Sequence, residues 1–214
     1  KKILVTGNTV IDSLLIASKK IDSNLNFYEN HFKKKYNIDF RSKKTILVTG
    51  HRRESFGSGF ENICKALAKI SIENDVQLIY PVHLNPNVQK PVYKVLGSLD
   101  NIFLIPPQDY LSFIFLMKNS YLILSDSGGV QEEAPSLGKP VLVMRENTER
   151  PEGVEFGSAK LVGTNYDKIS TETKKLINNP VEYKKMSKAG SPYGDGSASE
   201  NIIRYLDKNL QLYK

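Results

Sequence analysis

The chain has 214 residues, 40% of them hydrophobic and 25% charged, a balance typical of a folded globular protein with room for one large domain or two small ones. Its formal net charge of +7 admits nucleic acid or an anionic small molecule as a partner. No apolar run approaches the roughly 20 residues that a membrane helix needs, and a single cysteine, Cys64, excludes an internal disulfide and fits a reducing cytoplasm. The lysines cluster as Lys33-Lys34-Lys35, Lys43-Lys44 and Lys184-Lys185 in polar stretches. No aromatic residues interleave with them as a stacking platform would require, so they are read as solvated surface and no nucleic acid is expected. Lys1-Lys2 precede only Ile3-Leu4-Val5, so no secretory leader is expected. The chain starts without Met inside a strand-like run, and a segment of a longer protein is expected.

In chain order, Thr9–Ser18 reads as a helix and Ile21–Ser42 as a polar, lysine-rich stretch, so residues 1–42 are expected to form a connector. Over residues 43–214 short apolar runs alternate with amphipathic segments as a series of βα repeats. Thr45–Thr49 is the first strand candidate. Behind it, Thr49-Gly50-His51-Arg52-Arg53-Glu54 puts donors and a titratable group where a ligand would lie, although a basic surface turn with Glu54 pairing an arginine fits equally. Gly57 and Gly59 add little, because the third glycine of a dinucleotide fingerprint is missing. Phe60, Ile63, Cys64, Leu67 and Ile70 then form one apolar helical stripe. The strand candidate Val76–Tyr80 ends in Pro81-Val82-His83-Leu84-Asn85-Pro86, whose prolines fix a loop presenting His83 and Asn85; a lone histidine is more often structural. A helix over Pro91–Leu96, a strand over Ile102–Ile105 and a helix over Leu111–Lys118 follow.

Strand Tyr121–Leu124 leads into the strongest signal, Ser125-Asp126-Ser127-Gly128-Gly129-Val130-Gln131-Glu132-Glu133, with a helix expected over Val130–Ser136. Free N–H groups at a helix start suit an anion, and glycines let a phosphate approach the backbone. Ser127 can add a hydroxyl, and Glu133 stands about a turn further on, placed for sugar hydroxyls; the plainer alternative is a capped tight turn. Strand Val141–Met144 precedes Arg145-Glu146-Asn147-Thr148-Glu149-Arg150, where an arginine can grip phosphate or simply belong to an exposed charged loop. Strand Lys160–Val162 and helices over Asp167–Asn178, Val181–Ser187 and Ala198–Leu210 complete the series. The strands are continuous Val/Ile/Leu runs, so both faces are buried as in a parallel sheet, and the fold class is α/β, a Rossmann-like doubly wound sheet. The four loops gain weight by following different strands of one sheet, whose ligands bind beyond the strands' carboxyl ends.

Taken together, Val5-Thr6-Gly7-Asn8-Thr9-Val10-Ile11-Asp12, Gly50–Glu54, Pro81–Asn85, Ser125–Gly138, Thr148–Glu152 and Ser191-Pro192-Tyr193-Gly194-Asp195-Gly196 resemble the non-hydrolysing UDP-N-acetylglucosamine 2-epimerases in order and spacing, over almost the whole chain. The resemblance implies the second domain, with its connector, of a B-type glycosyltransferase-like fold, the amino-terminal catalytic half being absent and the isolated chain inactive. It implies that Ser127, Gly128, Gly129 and Arg150 bind the diphosphate, Glu133 holds the ribose, and Phe113 and Gln108 surround the uracil. It implies that His51 faces the sugar phosphate as the catalytic group. It implies that Arg52 and His83 hold a second UDP-N-acetylglucosamine as an allosteric activator. A cytoplasmic, bacterial homodimer serving cell-surface polysaccharide synthesis, with no metal and no cofactor, is the further implication. A sugar-nucleotide glycosyltransferase of the same fold and a non-catalytic nucleotide-binding module are the alternatives.

Overall fold

Val, Ile and Leu are stiff or bulky side chains that pack well on a pleated surface, and here they form six strands. A computed structural model describes residues 3–210. The strands are β1 (Lys44–Thr49), β2 (Val76–Pro81), β3 (Ile102–Ile105), β4 (Leu122–Ser125), β5 (Val141–Val143) and β6 (Ala159–Leu161). They lie side by side in the order β3-β2-β1-β4-β5-β6, every pairing parallel. All six expected strands are present, each within a residue or two of its expected bounds.

Ten α-helices flank the sheet among the described residues: α1 (Thr9–Asp22), α2 (Leu25–Tyr36), α3 (Ser58–Glu73), α4 (Pro86–Leu96), α5 (Tyr110–Asn119), α6 (Gly128–Glu133), α7 (Pro151–Glu155), α8 (Tyr166–Asn178), α9 (Pro180–Ser187) and α10 (Ala198–Leu210). Successive strand residues point to opposite faces, which divides the core in two. Ile46 and Val48 meet Phe60, Ile63 and Leu67 of α3, with α4 and α8 alongside. Leu47 and Ile79 on the other face meet Phe115 of α5, Leu14 of α1 and Phe32 of α2. Helices on both faces of a parallel sheet make the doubly wound arrangement expected.

Three local expectations are corrected. Residues Ile21–Ser42 are not merely a polar connector, because α2 lies within them. Its Tyr28, Phe32 and Tyr36 recur every fourth residue, and Phe32 stacks on Phe115 with centroids 5.3 Å apart and planes at 6°. The lysines that disguised it occupy its last turn, where they suit the helix dipole. Helix α4 begins at Pro86 rather than Pro91, with proline in its first turn and the Asn85 side chain capping the Asn87 N–H at 2.9 Å. Asn85 is therefore a helix cap rather than a group held out to a ligand. The short helix α7 was not anticipated.

Candidate functional site

The strand order reverses at β1 and β4: the chain leaves β1 to one side through β2 and β3, then returns to build β4, β5 and β6 on the other. The loops behind these two strands must diverge, and the crevice between them is where doubly wound sheets bind ligands. A cleft of about 280 Å³ lies there. His51 lines it from behind β1, His83 from behind β2, and Ser127, Gly129 and Glu133 from behind β4. Gln108 and Phe113 close it from the start of α5. Seven positions scattered from 51 to 133 in sequence thus share one cleft.

The floor is polar and tightly tied. Asp126 is fully buried, and its Oδ2 accepts the backbone N–H groups of His51 at 2.7 Å and Arg52 at 2.8 Å. The Tyr80 hydroxyl donates to the Gly50 carbonyl at 2.8 Å. The hydroxyls of Thr49 and Ser125 lie 2.6 Å apart, and the Ser127 N–H donates to Ser125 Oγ at 3.0 Å. Carboxylate and hydroxyls together fix the β1 loop against the β4 loop. The rings of His51 and His83 stack with centroids 5.1 Å apart and planes at 12°.

At one end of the cleft the glycine turn meets two arginines. A Cβ added to Gly128 would touch Arg150 Nη2 at 3.7 Å and Arg52 Nη2 at 3.9 Å, so both guanidinium groups flank that backbone. Ser127 caps α6 without a side-chain hydrogen bond, which leaves first-turn N–H groups free for an anion. Arg150 is steered by Glu132, whose carboxylate also accepts from Asn8 Nδ2 at 2.8 Å. Asn8 is the cap of α1, so the start of α1 reaches the arginine through one shared carboxylate.

The other end is more apolar. Glu133 is largely buried, and burial pushes its carboxyl above the ordinary range although Tyr110 Oη donates to Oε1 at 2.8 Å. Burial and the Glu133 carboxylate in turn raise the Tyr110 phenol. Gln108 donates to the Pro106 carbonyl at 2.6 Å and to Tyr36 Oη at 3.3 Å, so α2 also props this wall.

Arg145, a candidate phosphate grip, is neither that nor an exposed charge. Its side chain is 5% exposed and bonded at 2.6 Å both to Glu54 Oε1 and to Glu149 Oε2. Those bonds, with Glu149 first, raise Arg145 further above its ordinary value, while Arg145 holds Glu149 down at about 2. Arg145 clamps two loops together, with four of its five N–H donors engaged. Neither Asp126 nor Tyr110 carries a site signal of its own in the sequence. Asp126 stands next to the glycine turn, but its partners are backbone groups some 75 residues away, which no local pattern discloses.

A reversed parallel sheet with a cationic glycine turn at its switch point defines a Rossmann-like α/β domain suited to an anionic, flat-ringed ligand. Comparison with known proteins narrows this. The sequence model of the UDP-N-acetylglucosamine 2-epimerases matches residues 1–207, and the chain belongs to that family. A Yersinia pestis UDP-N-acetylglucosamine 2-epimerase is 54% identical over 212 residues, 99% of this chain and 56% of the relative. The chain therefore spans about half the length of the curated relatives it matches. The crystal structure of a Neisseria meningitidis UDP-GlcNAc 2-epimerase bound to UDP-GlcNAc superposes with a TM-score of 0.90 at 46% identity, over 97% of this chain and 56% of that one. A sucrose-phosphate synthase from Thermosynechococcus elongatus, at 14% identity and a TM-score of 0.59 over 85% of this chain and 48% of that one, shares the fold alone. No helix among the described residues is long and apolar enough to cross a membrane.

Proposed function

We propose that this chain is the nucleotide-gripping half of a non-hydrolysing UDP-N-acetylglucosamine 2-epimerase, which interconverts UDP-N-acetylglucosamine and UDP-N-acetylmannosamine. The observation that carries the reading is the Arg150 guanidinium beside Gly128, its Nη2 3.7 Å from where a Cβ on that glycine would stand. Ser127, Gly128, Gly129 and Arg150 bind the diphosphate, Glu133 accepts from the ribose hydroxyls, and Phe113 and Gln108 flank the uracil. His51 faces the phosphate attached to the sugar. Arg52 and His83 hold a second UDP-N-acetylglucosamine as activator.

The C2 proton of the sugar is weakly acidic, so inversion proceeds by elimination. A base takes the C2 proton, the C1–oxygen bond breaks, and UDP leaves as 2-acetamidoglucal forms. Protonation at the opposite face of C2 and return of UDP to C1 complete the inversion. Atoms and charge balance, and no step passes through an oxidised sugar that would need a hydride acceptor. Negative charge grows on the departing diphosphate, and that is where arginines and free N–H groups lower the barrier. Residues 1–42 serve as connector to the other half and residues 43–214 as the nucleotide domain; the whole enzyme works as a cytoplasmic homodimer.

Calorimetry of this chain with UDP tests the grip, and saturable one-site binding is expected. Turnover belongs to the full-length protein, followed through the NMR anomeric signals of UDP-N-acetylglucosamine. Transfer of the sugar to an acceptor instead of epimerisation would make the protein a glycosyltransferase, and no UDP binding at all would remove the proposal.

A further inference from the structure

Asp126 plays no part in the reaction as set out above, yet it is the best-buried carboxylate at the site, with no exposed surface. Its Oδ2 alone ties down the β1 loop through two backbone N–H groups. Its Oδ1 is buried as well and accepts no hydrogen bond, an expensive condition for a carboxylate oxygen. His51 Nδ1 lies 3.5 Å from Oδ1, a small ring rotation from a full bond. His83, stacked over the same ring, limits how far it can swing the other way. His83 has a fixed orientation of its own, because its Nδ1 accepts the Asn85 backbone N–H at 3.1 Å. A nitrogen that accepts carries no proton, so neutral His83 holds its proton on Nε2.

Resting on the catalytic role proposed for His51, we infer that Asp126 is its positioning residue: it accepts from Nδ1–H and leaves Nε2 as the nitrogen His51 offers to the cleft. The stacked pair is then unlike by design. Neutral His83 offers a donor at Nε2 and neutral His51 an acceptor at Nε2, although both rings line the same cleft. A proton taken up at His51 Nε2 can be donated from there to a departing phosphate oxygen, with the Asp126 carboxylate behind the ring facing the cation. The proton moves from solvent to His51 Nε2 and on to the phosphate oxygen as that oxygen's bond to C1 breaks.

Long-range proton–nitrogen NMR correlation of this chain reads the tautomers directly, since the sequence has only three histidines, His31, His51 and His83. With both rings neutral, His51 is expected as the Nδ1–H form and His83 as the Nε2–H form. Asp126→Asn can keep both backbone bonds through its carbonyl oxygen while turning an amide NH2 toward His51 Nδ1. That should move His51, and not His83, to the Nε2–H form in a chain whose circular dichroism is unchanged. Wild-type His51 in the Nε2–H form overturns the inference, whether or not the variant folds; so does a folded variant with the His51 tautomer unmoved. In the full-length protein Asp126→Asn should lower kcat at least about tenfold with KM within about threefold, the split expected of a group acting through orientation. A change in KM alone overturns the role. Absence of epimerase activity in the wild-type protein would strike the proposed function, while the tautomer measurement still decides on Asp126.

Discussion

Arg150 reaches the glycine turn already paired with Glu132, so a diphosphate must share or take over that partnership. A charge-assisted contact contributes about 1.5–3 kcal/mol, and Arg150→Ala should weaken UDP binding to this chain by that amount in calorimetry. Unchanged affinity would make Arg150 a partner of Glu132 and nothing more. His51 is tested in the full-length protein. His51→Asn should lower kcat by at least about tenfold with a smaller change in KM, the usual scale of an acid–base or electrostatic contribution. A raised KM with near-normal kcat would mean that His51 grips ground state and transition state alike. Both residues stood out because each lies in a loop behind a strand of one sheet, and it is the convergence of those loops, not either alone, that favours a ligand over a charged surface turn. Asp126 did not, since an acid beside a helix start has a sufficient local explanation as a dipole partner.

At the scale of elements, the six strands were legible because each is a short, largely apolar run bounded by polar or turn residues. Helix α2 was hidden by its composition: its buried stripe is aromatic and spaced by four, but lysines crowd the intervening positions. The clamp around Arg145 was hidden by distance, because Glu54 lies 91 residues away in sequence. The clamp joins the loop behind β1 to the loop behind β5, and it predicts its own failure. Arg145→Ala should cost about 2 kcal/mol, the loss of charge-assisted bonds to a buried group, and lower Tm by several degrees in thermal denaturation. The pH dependence follows from Glu149, held down at about 2 chiefly by the Arg145 hydrogen bonds. A depressed carboxyl binds fewer protons folded than unfolded, so its stabilisation is full above the ordinary value of about 4.3 and fades as pH falls from there toward the depressed value. The wild-type Tm should therefore drop more steeply across that acid range than the variant's. Parallel curves would show that the clamp adds nothing to stability.

For the molecule as a whole, a ligand that binds only the folded chain stabilises it by mass action, by about 2.7 kcal/mol at one hundred times its Kd. UDP at that excess should raise Tm by about 5–10 °C, given the 2–4 °C per kcal/mol usual for a chain of this size. Uridine, which lacks the diphosphate, should do far less. Equal shifts would place recognition in the base-side wall rather than at the arginines.

The seam between β1 and β4 pairs Ile46 with Leu122 and Thr49 with Ser125, partners 76 residues apart in the chain. Contacts that distant form only after a long loop has closed, and they slow folding relative to local pairings. Both cleft-forming loops hang from this seam, so a partly folded chain holding only β1, β2 and β3 has half a cleft. A nucleotide then has nothing to hold until the late steps are over. It should leave the refolding rate nearly untouched and act by slowing unfolding, prolonging the lifetime of the finished fold rather than hastening its birth.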